Sequence, residues 1–150
     1  MRNRLLERSK EEGRVRSRLP EFTKDEIESL KGSADFLGFN HYMGFLIRNR
    51  LPEEYNSKVP IDDLDGGYVI AMNPKCKQIN PPKGWIFINP ESFKKHLHYI
   101  RTEYGNPKVM ITENGCMNHL DEELNDVTRI EFLRVHLVAL AQGKDVILRN

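Results

Sequence analysis

Lys108-Val109-Met110-Ile111-Thr112-Glu113-Asn114-Gly115 decides the fold. Its first five residues are rich in apolar and β-branched side chains, which suits a short strand, and Asn114-Gly115 turns the chain straight afterwards. Upstream, Asn89 is a good N-cap, Pro90 fits a first helical position, and Glu91 complements the helix dipole. Phe93, Leu97, Ile100 and Tyr104 then recur at helical spacing, and Gly105-Asn106-Pro107 ends that helix before the strand begins. Farther upstream, Asp35-Phe36-Leu37-Gly38-Phe39-Asn40 reads as a second short buried strand. Downstream, Asp126 caps a last helix with Ile130, Leu133, Leu137 and Leu140 along one face and Gly143 closing it. Strands near 35–40 and 108–112, alternating with helices, give an α/β class with parallel strands and a right-handed crossover.

Between these elements the order is weaker. Thr23-Lys24-Asp25-Glu26 has the spacing of a capping box, so a short helix follows it, with Gly32 as its left-handed stop. Residues 48–84 carry Pro52, Pro60, Gly66-Gly67, Pro74 and Pro81-Pro82, and read as a long loop with one extended piece at Tyr68-Val69-Ile70-Ala71. A loop of that length inside a compact domain is uncommon, and is either functional or a sign that elements within it are misassigned.

Composition narrows the function classes. The 150 residues carry 23 Lys+Arg against 22 Asp+Glu, so the net charge of +1 exerts no general pull on nucleic acid or anionic membrane. The arginine-rich start, Arg2 to Arg18, has no interleaved aromatic residue and includes Glu7, Glu11 and Glu12. That pattern fits a solvated helix end better than a nucleic-acid arm or a transit peptide. No run of about 18 apolar residues is present, and the first residues lack the apolar core of a secretory signal. Two cysteines, Cys76 and Cys116, are too few for a disulfide scaffold or a multi-cysteine zinc site, and their redox state is left open.

The carboxylate at 113 is the foremost chemical candidate. The carboxyl ends of parallel strands are where α/β folds build ligand sites, and a carboxylate fixed there has the rigidity of a nucleophile or general base. Tyr42, two residues past Asn40, faces the same end if both strands share a sheet. Its phenol would donate to a neighbouring carboxylate and keep it ionised. The histidines offer less. His96 and His98 point to different helix faces, and His41, His119 and His136 lack ligand spacing, so neither a metal nor a cofactor is expected. Trp85 reads either as a sugar-stacking platform or as an anchor for the long loop.

Taken together, these residues resemble glycoside hydrolase family 1, the β-glucosidase family, and most of all its animal-type branch. Ser17-Arg18-Leu19-Pro20-Glu21-Phe22-Thr23 is similar to the family's segment before its sixth barrel strand. Asp35-Phe36-Leu37-Gly38-Phe39-Asn40-His41-Tyr42 is similar to that strand, and Ile111-Thr112-Glu113-Asn114-Gly115 to the nucleophile motif. Gly84-Trp85, the helix from Pro90, Asn106-Pro107, Arg129-Ile130 and His136-Leu137 follow in the family's order.

The resemblance implies a retaining β-glycosidase acting on β-glycosides without cofactor or metal. It makes Glu113 the nucleophile, Tyr42 the tyrosine that hydrogen-bonds it, and Asn40 a residue lining the site. It also implies a partial (β/α)8 TIM barrel holding roughly the sixth and seventh βα units, because a complete barrel takes about 250 residues. The family's acid/base motif of Thr-Phe-Asn-Glu-Pro type is absent, and Asn89-Pro90-Glu91, in a different order, is a helix start. Residues 141–150 diverge from the family pattern. The expectation is therefore one catalytic domain over 1–150 that is inactive alone. The alternative is a truncated, non-catalytic paralogue that docks on a complementary or full-length relative, with no nucleic-acid or membrane partner. Animal relatives of this family are often secreted, but the sequence fixes neither the compartment nor the sugar.

Overall fold

The computed structural model describes residues 2–55, 65–79, 84–118 and 121–147, with side chains described up to Gly143. The chain forms two units, one built from residues 1–33 and 46–71, the other from 34–45 and 72–150.

In the first unit, helix α1 (Arg2–Glu11) buries Leu5 and Ser9. The Ser9 hydroxyl donates to the Leu5 carbonyl at 2.6 Å and accepts the Arg18 amide at 3.1 Å, which folds the chain back after the helix. Arginines of this basic start are paired within the unit: Arg8 with Asp65 at 3.2 Å, Arg18 with Glu12 at 3.3 Å and also with Asp65. Helix α2 (Lys24–Leu30) begins at the expected capping box. The Thr23 hydroxyl accepts the Glu26 amide, while the Glu26 carboxylate takes the Thr23 amide at 2.7 Å. Gly32 follows with a φ of 72°, the left-handed conformation a helix end favours. Strands β2 (Leu46–Asn49) and β3 (Tyr68–Ala71) pair antiparallel, Leu46 opposite Ala71 and Asn49 opposite Tyr68. The 48–84 span is therefore not all loop. Strand β2 escapes periodicity because all four of its residues are exposed, so no apolar alternation marks it. Pro60 and Pro81-Pro82, part of the loop expectation, lie outside the described residues.

In the second unit, β1 (Leu37–Asn40) and β6 (Val109–Glu113) form a parallel pair. The crossover between them carries a short antiparallel ladder, β4 (Lys77–Gln78) with β5 (Phe87–Ile88), and then helix α3 (Pro90–Glu103). Asn89 caps α3 as expected, its side chain accepting the Ser92 amide at 3.1 Å. The stripe on α3 is buried at Phe93, Leu97 and Ile100, but Tyr104 sits past the last turn and is exposed.

Helix α4 (Val127–Ile147) departs from its expected face. Phe132, His136 and Ala139 are buried, whereas Ile130 and Leu137 are 61% and 63% exposed. The reason is chemical. His136 enters the core by stacking on Phe132 at 4.0 Å between ring centroids, with its Nδ1 2.8 Å from the Phe132 carbonyl. A stripe that runs through a histidine is invisible to apolar periodicity. Gly143 does not close the helix either. It lies within it, where an added Cβ would stand 3.6 Å from Leu97.

The core has two parts. Phe93, Leu97 and Ala139 gather Phe39, Val109, Ile111 and Leu140, which seats the parallel pair on α3 and α4. Ile79, Ile86 and Phe132 gather Tyr42, Ile88, Cys116 and Met117. The opposite face of the parallel pair, with Gly38, Asn40, Met110 and Thr112, is exposed.

Candidate active site

The two parallel strands finish side by side, and their last residues carry the candidate groups. Register runs Leu37 to Val109, Gly38 to Met110 and Phe39 to Ile111, and then slips so that Asn40 faces Glu113. Thr112 is the extra residue of a bulge, a device that re-aims side chains at strand ends. Strict alternation would send Glu113 the way of Val109 and Ile111, into the helices. After the bulge it sits opposite Asn40, and its side chain is exposed.

Main-chain bonds extend the pairing beyond the strands. The His41 amide donates to the Glu113 carbonyl at 3.0 Å, and the Asn114 side-chain amide donates to the His41 carbonyl at 2.7 Å. Tyr42 is thereby held opposite Glu113, and its hydroxyl donates to the Glu113 Oε2. The Thr112 hydroxyl donates to the Asn40 Oδ1. Tyr42 leans its ring on the cluster of Ile79, Ile86 and Phe132. Glu113, Tyr42 and Asn40, separated by up to 73 positions in sequence, therefore share one strand end.

This arrangement can hold an ionised carboxylate with one oxygen fixed. The hydrogen bond to Glu113 is the chief cause of a phenol pKa raised above the ordinary tyrosine value, with burial and the carboxylate charge adding to it. A hydroxyl that keeps its proton remains a donor, and the second carboxylate oxygen is left to act. Beside Tyr42 opens a cavity of about 270 Å³ lined by Asn40, Met43, Phe45, Trp85 and His96 among others. Trp85 is 58% exposed there. A larger cavity of about 790 Å³ runs between β1 and α3, lined by Phe36, Leu37, Tyr99 and Tyr104. Glu113, Tyr42 and Asn40 take no part in its lining, so its size does not make it the chemical site. Cys116 lies past the turn, and burial pushes its thiol up, the direction opposite to nucleophile activation.

Sequence spacing misses one feature. His41, just past β1, comes together with His96 of α3 and His136 of α4, with ring centroids 5.2 Å apart for His41–His96 and 6.3 Å for His41–His136. They stand 55 and 40 positions apart, so no local spacing could have found them. Among the described residues no three His, Cys, Asp or Glu side chains are arranged to hold a metal ion. No described helix is long and apolar enough to cross a membrane.

The model of the family described as glycosyl hydrolase family 1 matches residues 3–147, which takes in most of the 141–150 stretch. Myrosinase 1 of Brevicoryne brassicae is 38% identical over 143 residues, covering 95% of this chain and 29% of that protein. Beta-glucosidase 24 of Oryza sativa subsp. japonica is 37% identical over 144 residues, covering 88% of this chain and 28% of that protein. The solved structure of an aphid myrosinase superposes with a TM-score of 0.80 at 36% identity, covering 98% of this chain and 30% of that one. The chain thus spans under a third of the length of these relatives.

Proposed function

The chain belongs to glycosyl hydrolase family 1, and from that premise we propose that it carries the nucleophile half of a retaining β-glycosidase site, with β-glucosides as the substrate class. The observation that carries this reading is the Tyr42 hydroxyl bound to the Glu113 carboxylate at the carboxyl end of a parallel pair. In retaining hydrolysis a carboxylate attacks the anomeric carbon, the bond to the aglycone oxygen breaks, and that oxygen leaves with the electron pair. Glu113 is the attacking group and Tyr42 its orienting donor. Asn40 and Trp85 line the space beside them.

Such chemistry needs a second carboxyl about 5–5.5 Å away to protonate the leaving group and later activate water. No Thr-Phe-Asn-Glu-Pro type motif occurs in these 150 residues. The reading is accordingly that β1 and β6 are the sixth and seventh strands of a barrel, most similar to the animal branch, and that the 150 residues alone do not turn over a glycoside. Loss of general acid–base catalysis typically costs about 10²–10⁴-fold. The test is release of nitrophenol from a nitrophenyl β-glucoside by the purified chain. No release above that of Glu113→Gln is expected; turnover abolished by that substitution would contradict the claim of inactivity while supporting the nucleophile.

The exposed face of Gly38, Asn40, Met110 and Thr112 favours a second reading, a module that docks on a relative. Co-purification with an intact family member supports it, and a monomer by light scattering in that member's presence opposes it.

A further inference from the structure

The histidine cluster around His41 adjoins Tyr42 through the chain itself. His41 is 4% exposed and His136 1%, while His96 is exposed on α3. The His41 ring packs on Phe93 at 4.8 Å between centroids, with Phe39 at 5.8 Å, and meets His96 edge-on. The Ser92 hydroxyl is 3.5 Å from His41 Nε2, whereas His41 Nδ1 is buried without a hydrogen-bond partner. His41 is also the residue whose main chain ties the two strand ends together, through the Glu113 carbonyl on one side and the Asn114 amide on the other. Tyr42 is its immediate neighbour.

We propose that neutral His41, packed between His96 and His136, is a positioning residue that holds Tyr42 against Glu113, and that proton uptake by His41 releases this hydrogen bond. For its catalytic meaning this rests on Glu113 being the nucleophile; the coupling itself does not.

A charged imidazolium at this position has an unpartnered nitrogen facing an aromatic cluster, which is costly where water is excluded. Its remedy is to swing toward solvent, and the 41–42 main chain must follow. The titratable groups facing His41 are His96 from α3 and His136 from α4. At the end of β6 its main chain bonds the Glu113 carbonyl and the uncharged Asn114 side-chain amide. Burial, and then the charges of His96 and His136, push the His41 pKa down to about 4.

Nuclear magnetic resonance of the 150-residue chain tests this, following the histidine Cε1 and Tyr42 ring signals with pH. The Tyr42 signals are expected to move in a step at the His41 midpoint. His96→Gln, at an exposed position, removes one like charge, so the His41 midpoint rises and the Tyr42 step rises with it. Glu113→Gln leaves the His41 midpoint where it was. The proposal is overturned if the Tyr42 step stays in place while the His41 midpoint moves in His96→Gln, or if the Tyr42 signals follow Glu113 alone. These outcomes do not depend on glycosidase activity, and failure here leaves the assignment of Glu113 as nucleophile standing.

Discussion

The Tyr42 hydroxyl donates to the Glu113 carboxylate, joining the chain just beyond β1 to the last residue of β6 across 71 positions of sequence. The bond raises the phenol pKa, so Tyr42 keeps its proton past the ordinary value of about 10. A raised folded-state pKa contributes stability that is complete below the unfolded value and is lost as pH rises through the folded one. The window is therefore alkaline. In Glu113→Gln the Tyr42 phenol should titrate closer to the ordinary value, read from its Cζ resonance. An unchanged midpoint would break the pairing.

His41 works on the acid side. Its folded pKa of about 4 lies below the ordinary value of about 6.5, so the unfolded chain takes up the proton first. His136, held below its ordinary value chiefly by burial, acts with the same sign. Stability is full above pH 6.5, falls toward pH 4, and loses no more to His41 below that. The expected loss from His41 is up to about 3 kcal/mol, measured by urea unfolding at stepped pH. In His41→Phe, which keeps an aromatic ring in the stack, the slope between pH 6.5 and 4 should flatten.

The two faces of α4 should respond differently to truncation. Phe132 is fully buried against Ile79 and Ile86, so Phe132→Ala is expected to cost about 3–5 kcal/mol. Ile130 is 61% exposed, and Ile130→Ala should stay within about 0.5 kcal/mol. Urea midpoints compare the pair, and equal losses would mean that the helix is rotated from the arrangement described.

Gly44 is buried two residues past Tyr42, and a Cβ there would stand 2.3 Å from the Ser92 Cβ. That atom belongs to the capped first turn of α3 and cannot move freely. Gly44→Ala is expected to cost about 1–3 kcal/mol through overpacking. The double change Gly44→Ala with Ser92→Gly should recover part of the loss, as contacting sites are not additive. Full additivity would show that the two residues do not meet.

These contacts also mark what a linear sequence can carry. The capping box at Thr23 and the N-cap at Asn89 were legible because each is local, set by residues three apart. The parallel pairing of β1 with β6 was legible from the order of elements, and the shared position of Tyr42 and Glu113 followed from that pairing. What stayed hidden depends on residues far apart or on a side chain of double character. The buried stripe of α4 passes through His136, which a hydropathy pattern counts as polar although its ring stacks on Phe132. Strand β2 has no buried residue to give it a period. The bulge at Thr112, which sets the direction of Glu113, arises from pairing and not from any residue type.

The central claim is that Glu113 attacks the anomeric carbon, and one measurement addresses it without needing an acid catalyst. Dinitrophenolate leaves without being protonated, so a dinitrophenyl β-glucoside can react with a nucleophile alone. Lacking a base to activate water, the resulting glucosyl ester should accumulate. Incubation of the chain with this reagent, followed by peptide mass spectrometry, is predicted to find one added glucosyl unit on the peptide containing Glu113 and none in Glu113→Gln. An adduct on another residue, equal labelling of Glu113→Gln, or no adduct at all would contradict the account.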